Sequence, residues 1–200
     1  MLIFFDTEFT DLCIDPRLIS IGLVSEGGRE FYAELSDSYS PKDCGAFTQE
    51  AVLPLLQGGD ALMTMNELAL RLGEWIEGFD EPVKLAIDSM AWDWPWIQEI
   101  FYDSGKWPKN LDGKPELLRD QAFDLAVEQM FQHPGEPRLR RHHALDDARA
   151  NWFAWISFEF AKGNDPILRE AKRRNKNTSF LLFTKEIVAQ IKVEYRNEDF

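Results

Sequence analysis

The sequence predicts an α/β domain built on a mixed, mostly five-stranded sheet flanked by helices. Three observations carry that expectation. The chain opens on an unbroken apolar run, Leu2-Ile3-Phe4-Phe5, which suits a strand buried on both faces, and the run stops abruptly at the carboxylates Asp6 and Glu8. Two further β-rich runs, Arg17 to Val24 and Arg29 to Leu35, are separated by Glu26-Gly27-Gly28, a hairpin signal. Beyond residue 65, segments with helical spacing alternate with short strand-like runs.

In chain order, the first three runs should form an antiparallel meander. Ser36 to Gly59 is a long connection rich in Ser, Pro, Asp and Gly, with a short helix expected within Gln49 to Gln57; its length marks it as a functional loop. Asn66 to Glu77, capped by Thr64, places Leu68, Leu72, Trp75 and Ile76 on one helical stripe. Pro82 to Ile87 reads as a fourth strand ending at Asp88. A helix should follow from Asp93 to about Tyr102, with Pro95 tolerated in its first turn. Glu116 to Arg119 is a short fifth strand, and Gln121 to Phe131 a helix stopped by His133-Pro134-Gly135. The segment Ala144 to Ile156 is a strong helix with Leu145, Ala148, Trp152, Trp155 and Ile156 inward.

Two hundred residues, 44% hydrophobic with seven Trp and fifteen Phe, suffice for one substantial core. One domain over residues 1–161 is expected, with a C-terminal extension over 162–200 packed on it or at an oligomer interface. No apolar run approaches the roughly 20 residues a bilayer span needs. Cys13 and Cys44 show no ligand spacing, and free thiols fit a reducing, cytoplasmic setting. The net charge of −13 argues against a protein that coats nucleic acid non-specifically, since such binding needs Lys and Arg against phosphates. It leaves nucleases open, because bound divalent ions turn a carboxylate cluster electropositive.

Along a strand, side chains alternate, so Asp6 and Glu8 project to one side while Thr7 points to the other. Two oxygen ligands side by side at a strand end suit Mg²⁺ or Mn²⁺. The bland alternative is a solvated strand end. A second acidic position lies after the fourth strand, with Asp88 at the strand's polar end and Asp93 at the start of the following helix. A third lies in His142-His143-Ala144-Leu145-Asp146-Asp147-Ala148.

Together these stretches resemble the DnaQ-like 3′–5′ exonucleases of the DEDDh type. His142, Ala144, Leu145, Asp147 and Ala148 match the pattern His-x-Ala-Leu-x-Asp-Ala; Phe5-Asp6-Thr7-Glu8-Phe9 matches the first motif and Asp93 the second. The small bacterial exoribonucleases look most similar, since Ile19-Ser20-Ile21-Gly22 and Gly28-Arg29-Glu30-Phe31-Tyr32 resemble their second and third strands. The resemblance covers roughly Met1 to Ala161 and implies an RNase H-like fold. It implies that Asp6, Glu8, Asp93 and Asp147 hold two divalent ions, Mg²⁺ or Mn²⁺, with His142 as general base. The family pattern favours Asp147 over Asp146 and His142 over His143. It departs at Asp88-Ser89, where many members carry His-Asn, which leaves Asp88 a rival to Asp93.

The chemistry asks for these residue types. Phosphodiester hydrolysis needs an attacking hydroxide and a stabilised leaving oxygen, which two metals can serve, and a His near neutrality can take the proton. Five residues on a helix rotate about 500°, so His142 and Asp147 cannot share a helical face. His142 therefore precedes the helix and is expected to close onto substrate while Asp147 stays fixed. Thr7, Phe9, Thr10 and Arg141 are the expected substrate contacts, with Arg138, Arg140 and the run 172–176 as further phosphate candidates. Of Trp92, Trp94 and Trp96, at least two should be core, leaving the remainder for base stacking.

The implied partner is single-stranded nucleic acid, RNA rather than DNA, cut from the 3′ end to nucleoside 5′-monophosphates. A homodimer is implied by the same resemblance. The competing readings are an exonuclease-fold binding or regulatory module without chemistry, and a phosphohydrolase of very short oligonucleotides.

Overall fold

The computed structural model describes residues 1–118, 121–132 and 138–162, with side chains as far as 157 in the last helix. The helix stop at 133–137, the basic run 172–176 and the stretch 180–193, whose apolar pattern reads from sequence as a strand or helix docking on the main body, lie outside the described residues.

Strands β1 (Leu2–Phe9), β2 (Leu18–Ser25) and β3 (Glu30–Leu35) form the expected meander, antiparallel throughout. After helix α1 (Ala46–Ala51) come β4 (Leu62–Met63), helix α2 (Met65–Glu77), β5 (Lys84–Ile87) and helix α3 (Trp94–Asp103). The remainder is β6 (Glu116–Leu117), α4 (Gln121–Gln132) and α5 (Ala144–Lys162). The strands make one mixed sheet ordered β4-β3-β2-β1-β5-β6, in which β5 lies parallel to β1. The sheet thus has six strands rather than the expected five. The addition, β4, is two residues long and pairs with β3 as the chain passes into α2, too short to leave a periodic signal.

The long apolar opening is explained by burial on both faces. Ile3 and Phe5 join a core with Leu68, Leu72 and Ile76 of α2 and with Ile97 and Phe101 of α3. Phe4, one residue out of phase, joins the opposite core with Phe123 of α4 and Leu145, Ala148 and Trp152 of α5. Each of these fully buried side chains on β1 is worth about 1.5–3 kcal/mol of burial, so β1 is the central strand that both helical layers clamp.

Local chemistry sets the helix ends. Thr64 Oγ1 accepts from the Glu67 amide while the Glu67 carboxylate accepts from the Thr64 amide, a capping box that starts α2 one residue before the periodic pattern. Helix α1 starts at Ala46, earlier than expected, and ends at Ala51; a tighter turn over Leu53–Leu55 follows, with Pro54 unable to donate a helical hydrogen bond.

Candidate active site

The carboxyl end of β1 collects side chains from both faces of the sheet. Phe4, Asp6 and Glu8 alternate toward α5, whereas Ile3, Phe5 and Thr7 face α2 and α3. Asp6 pairs with Gly22 on β2. A Cβ at Gly22 would sit 2.2 Å from the Leu145 nitrogen, so the missing side chain lets the first turn of α5 rest on the sheet. That contact delivers Asp147. Ligand oxygens of Asp6, Glu8 and Asp147 all lie within 4.8 Å of one another.

A second triad shares Asp6. The β1–β5 register sets Phe4 beside Ala86, and just past the end of β5 Asp88 comes within 4.8 Å of Asp6, oxygen to oxygen. Asp93 arrives from the start of α3. Its carboxylate caps no amide of its own helix and instead accepts from Thr7, at 3.2 Å from the backbone amide and 2.6 Å from the hydroxyl. Oxygens of Asp6, Asp88 and Asp93 again lie within 4.8 Å of one another. The competition between Asp88 and Asp93 therefore has a geometric answer: both stand at Asp6.

The two histidines separate completely. His143 is buried, and its carbonyl accepts from the Asp147 amide at 3.0 Å. Its own amide donates to Asp147 Oδ2, also at 3.0 Å. His142 faces the cleft, holds a left-handed backbone (φ 66°), and meets the ring of Phe47 edge-on with centroids 4.8 Å apart. Asp146 is turned away. Its carboxylate is buried between Arg140 and Arg149, at 2.7 and 2.6 Å, so its charge is already satisfied.

A cleft of about 400 Å³ opens over this end of the sheet. Asp6, Thr7, Glu8, Phe9, Asp93, Arg141, His142 and Asp147 all line it, as do Asp88, Leu12, Phe47 and Trp92. Phe9 stacks on Trp92 (5.7 Å, 16°), while Trp94 and Trp96 are core. Thr10 is the sequence candidate that does not reach the cleft: it is buried, and its hydroxyl accepts from the Arg17 amide. Strand alternation beyond the carboxylates is broken by an irregularity at Glu8/Phe9, which sends Thr10 into the structure.

Two 3′–5′ exoribonucleases of Mycobacterium tuberculosis, one from strain CDC 1551 / Oshkosh and one from strain H37Rv, are each 30% identical to this chain over 158 residues. The match spans 74% of this chain and 88% of theirs. The chain belongs to the DnaQ-like 3′–5′ exonuclease family. No family model matches it. Among solved structures, exonuclease I resembles this DnaQ-like chain with a TM-score of 0.53 at 14% identity, covering 90% of this chain. A zinc-bound complex of E. coli exonuclease I with single-stranded DNA gives 0.52 at the same identity. The chain spans under half of exonuclease I, 45% and 44% in the two cases, so this likeness speaks to the RNase H-like fold alone.

In this DnaQ-like cleft the carboxylates are held against their preference for water. Asp6 is raised well above the usual carboxylate range, first by burial and then by Asp147, Asp93 and Glu8. Glu8 is pushed up to about 8 by burial and by Asp147 and Asp93. Asp93 and Asp147 are each pushed up to about 7, burial being the largest cause; the Thr7 hydrogen bonds oppose it at Asp93, and Arg141 with the His143 amide opposes it at Asp147. Clustered carboxylates that resist ionising together are what a cation stabilises. The donor set is oxygen only, which fits hard divalent ions and not thiolate-seeking ones. Two triads sharing Asp6 fit such ions.

Leu12 and Phe47 were not legible as site residues. Leu12 sits in a turn-rich stretch and is 68% exposed, and Phe47 is brought to the cleft by α1, whose Thr48 hydroxyl donates to the Phe9 carbonyl and whose preceding Gly45 amide donates to the Thr10 carbonyl. Their exposure beside a polar cluster is visible only in the folded chain.

Proposed function

We propose that this protein is a DEDDh-type 3′–5′ exoribonuclease that trims single-stranded RNA to nucleoside 5′-monophosphates. The observation that carries this reading is that Asp6 is common to two carboxylate triads with His142 facing the same cleft. Asp6, Glu8, Asp93 and Asp147 would hold two Mg²⁺ or Mn²⁺ ions, with Asp88 assisting at Asp93. Bound ions of this kind supply Lewis acidity toward water and toward the phosphate.

The chain's own residues do the rest. His142 is held below its ordinary value, first by burial and then by Arg141, so its imidazole is neutral at pH 7 and can take the proton from the attacking water. As that water oxygen bonds to phosphorus, the bond from phosphorus to the 3′ oxygen of the preceding nucleotide breaks. Thr7 holds Asp93 in place through its hydroxyl and amide. Phe9 on Trp92, with Phe47 and Leu12, offers apolar and aromatic surface to the terminal bases. Arg141, steadied by Glu128 at 2.5 Å and by the Phe131 ring, faces the phosphate.

RNA over DNA is supported by the mycobacterial relatives, which are named exoribonucleases. The homodimer belongs to the same proposal, as does an extension over 162–200. Among the described residues no helix is long and apolar enough to cross a membrane.

The test is cleavage of matched 5′-labelled single-stranded RNA and DNA with Mg²⁺ or Mn²⁺, by wild type and Asp147→Ala. A ladder shortening from the 3′ end, abolished by the substitution, supports the reading; metal-independent binding without cleavage supports an inactive module. One observation favours a second reading with short substrates. Among the described residues Arg141 is the one cation lining the cleft, so few distant phosphates are neutralised. A substrate-length series separates the two, since a short-substrate enzyme loses kcat/KM as the RNA lengthens.

A further inference from the structure

We infer that Gln57 is a positioning residue: it fixes the ring of His143 and thereby sets the hinge from which His142 is presented to the cleft. The inference rests on His142 acting as the base in the reading above, but its physical core can be tested without turnover.

The anchor begins on the sheet. Glu34, at 2% exposure on β3, is a buried carboxylate that accepts from three donors. The backbone amides of Gln57 and Gly58 reach it at 2.6 and 2.9 Å, and the Tyr32 hydroxyl at 2.8 Å. These bonds tie the end of the long connection between β3 and β4 to the sheet. From that point the Gln57 side chain reaches across to His143, its Nε2 lying 2.9 Å from the ring Nε2.

The His143 ring is held on a second side by Tyr32, stacked at 4.7 Å and 20°. Its backbone exchanges both bonds with Asp147, as described above. His143 is thus the fixed residue between a metal-ligand candidate and the base. His142, immediately before it, carries a left-handed backbone that non-glycine residues seldom adopt. Such a conformation persists where its surroundings over-determine it. Here the over-determination lies one residue on, at a ring clamped by Tyr32 and Gln57.

Donation from the Gln57 amide makes His143 Nε2 the acceptor, which puts the ring proton on Nδ1, 3.9 Å from Asp146 Oδ2. That gives a spectroscopic signature a merely space-filling role would lack. Gln57 is an exposed residue, so its substitution leaves the core intact.

The test uses the full chain, whose three histidines make imidazole ¹⁵N spectra simple to assign. In wild type we expect His143 as a single Nδ1–H tautomer; in Gln57→Leu, averaged tautomers. Gln57→Leu should lower kcat about tenfold, the scale of losing an outer supporting bond, with KM and Mn²⁺ affinity changed less than about twofold. Gln57→Glu can accept from the ring instead, so it should fix the opposite, Nε2–H tautomer and restore most of kcat. An averaged His143 ring in wild type overturns the inference. So does unchanged kcat in Gln57→Leu, or a loss confined to KM. A wild type without exonuclease activity sinks the functional reading, while the ring spectra still decide whether the anchor exists.

Discussion

Gly22 and Leu145 meet with no side chain between them: a Cβ on Gly22 would lie 2.2 Å from the Leu145 nitrogen and 2.3 Å from its Cα. Because Gly22 is the β2 partner of Asp6, this contact fixes how closely α5 brings Asp147 to Asp6. Gly22→Ala must push the helix off the sheet, since backbone cannot yield as a flexible side chain can. We expect a loss of about 1–3 kcal/mol of stability from overpacking, read by thermal unfolding. Mn²⁺ affinity should fall at temperatures where the variant remains folded. Retention of wild-type affinity would show that α5 is not positioned by this contact.

The carboxylate cluster predicts an inverted pH dependence for the metal-free protein. Glu8, Asp93 and Asp147 have folded pKa values of about 8, 7 and 7, above their ordinary values near 4, so the folded state binds more protons than the unfolded between these limits. Stability from these groups is then present below pH 4 and is lost as pH rises through 7 to 8. With metal chelated, the melting temperature should fall between pH 6 and pH 8 by more in wild type than in Asp147→Asn. The Asn oxygen can still accept from His143, so Asp147→Asn should melt higher than wild type at pH 8 while losing cleavage. An unchanged melting temperature at pH 8 would mean the cluster is not strained.

Divalent ions should reverse that trend. Ion binding displaces protons from the cluster, so the thermal shift on adding Mn²⁺ should be larger at pH 8 than at pH 6. At one hundred times Kd the stabilisation is about 2.7 kcal/mol. Calcium-free differential scanning calorimetry with and without Mn²⁺ measures it, and Asp6→Asn, which touches both triads, should abolish the shift.

The Thr7 hydroxyl, at the edge of the cleft, donates to Asp93. Thr7→Val keeps the shape and removes the 2.6 Å bond, leaving a carboxylate that holds one donor fewer. A bond to a charged group is worth about 1.5–3 kcal/mol, so metal affinity or kcat should fall by roughly tenfold or more. KM should stay near wild type. A rise in KM alone would return Thr7 to direct substrate contact.

The two histidines should behave differently. His142→Ala should cost about 10²–10⁴ in kcat, the span of general-base catalysis, with unchanged melting temperature. His143→Ala should destabilise the fold, because its ring is buried and packed on Tyr32. His142 is held below its ordinary value of 6.5, so activity should decline as pH falls through a point below 6.5, where the imidazole gains its proton. A rate that falls instead as pH rises through that range would exclude His142 as the base.

Much of the scaffold was legible because it follows from local chemistry. The uninterrupted apolar run at Leu2 to Phe5 specifies a strand buried on two faces, the Gly27-Gly28 break specifies the meander, and the Thr64–Glu67 box starts α2. The strand period alone puts Asp6 and Glu8 on one side, and the helical period alone keeps His142 off the face of Asp147. Sequence also narrowed the chemistry on offer, since an oxygen-only donor set suits hard divalent ions and not thiolate-seeking ones. The tertiary structure decided what depends on distance between remote segments. It placed Asp88 as well as Asp93 at Asp6, because that proximity is set by the pairing of β1 with β5 and by the bonds of Asp93 to Thr7, not by anything within residues 88–93. It withdrew Thr10 into a bond with Arg17, and it brought Phe47 and Leu12 to the cleft. It parted His142 from His143, neighbours with the same side chain, by clamping one ring between Tyr32 and Gln57 and leaving the other over the carboxylates. Periodicity tells which side of an element a residue faces; what waits on that side is fixed only when the sheet is assembled and its helices are docked.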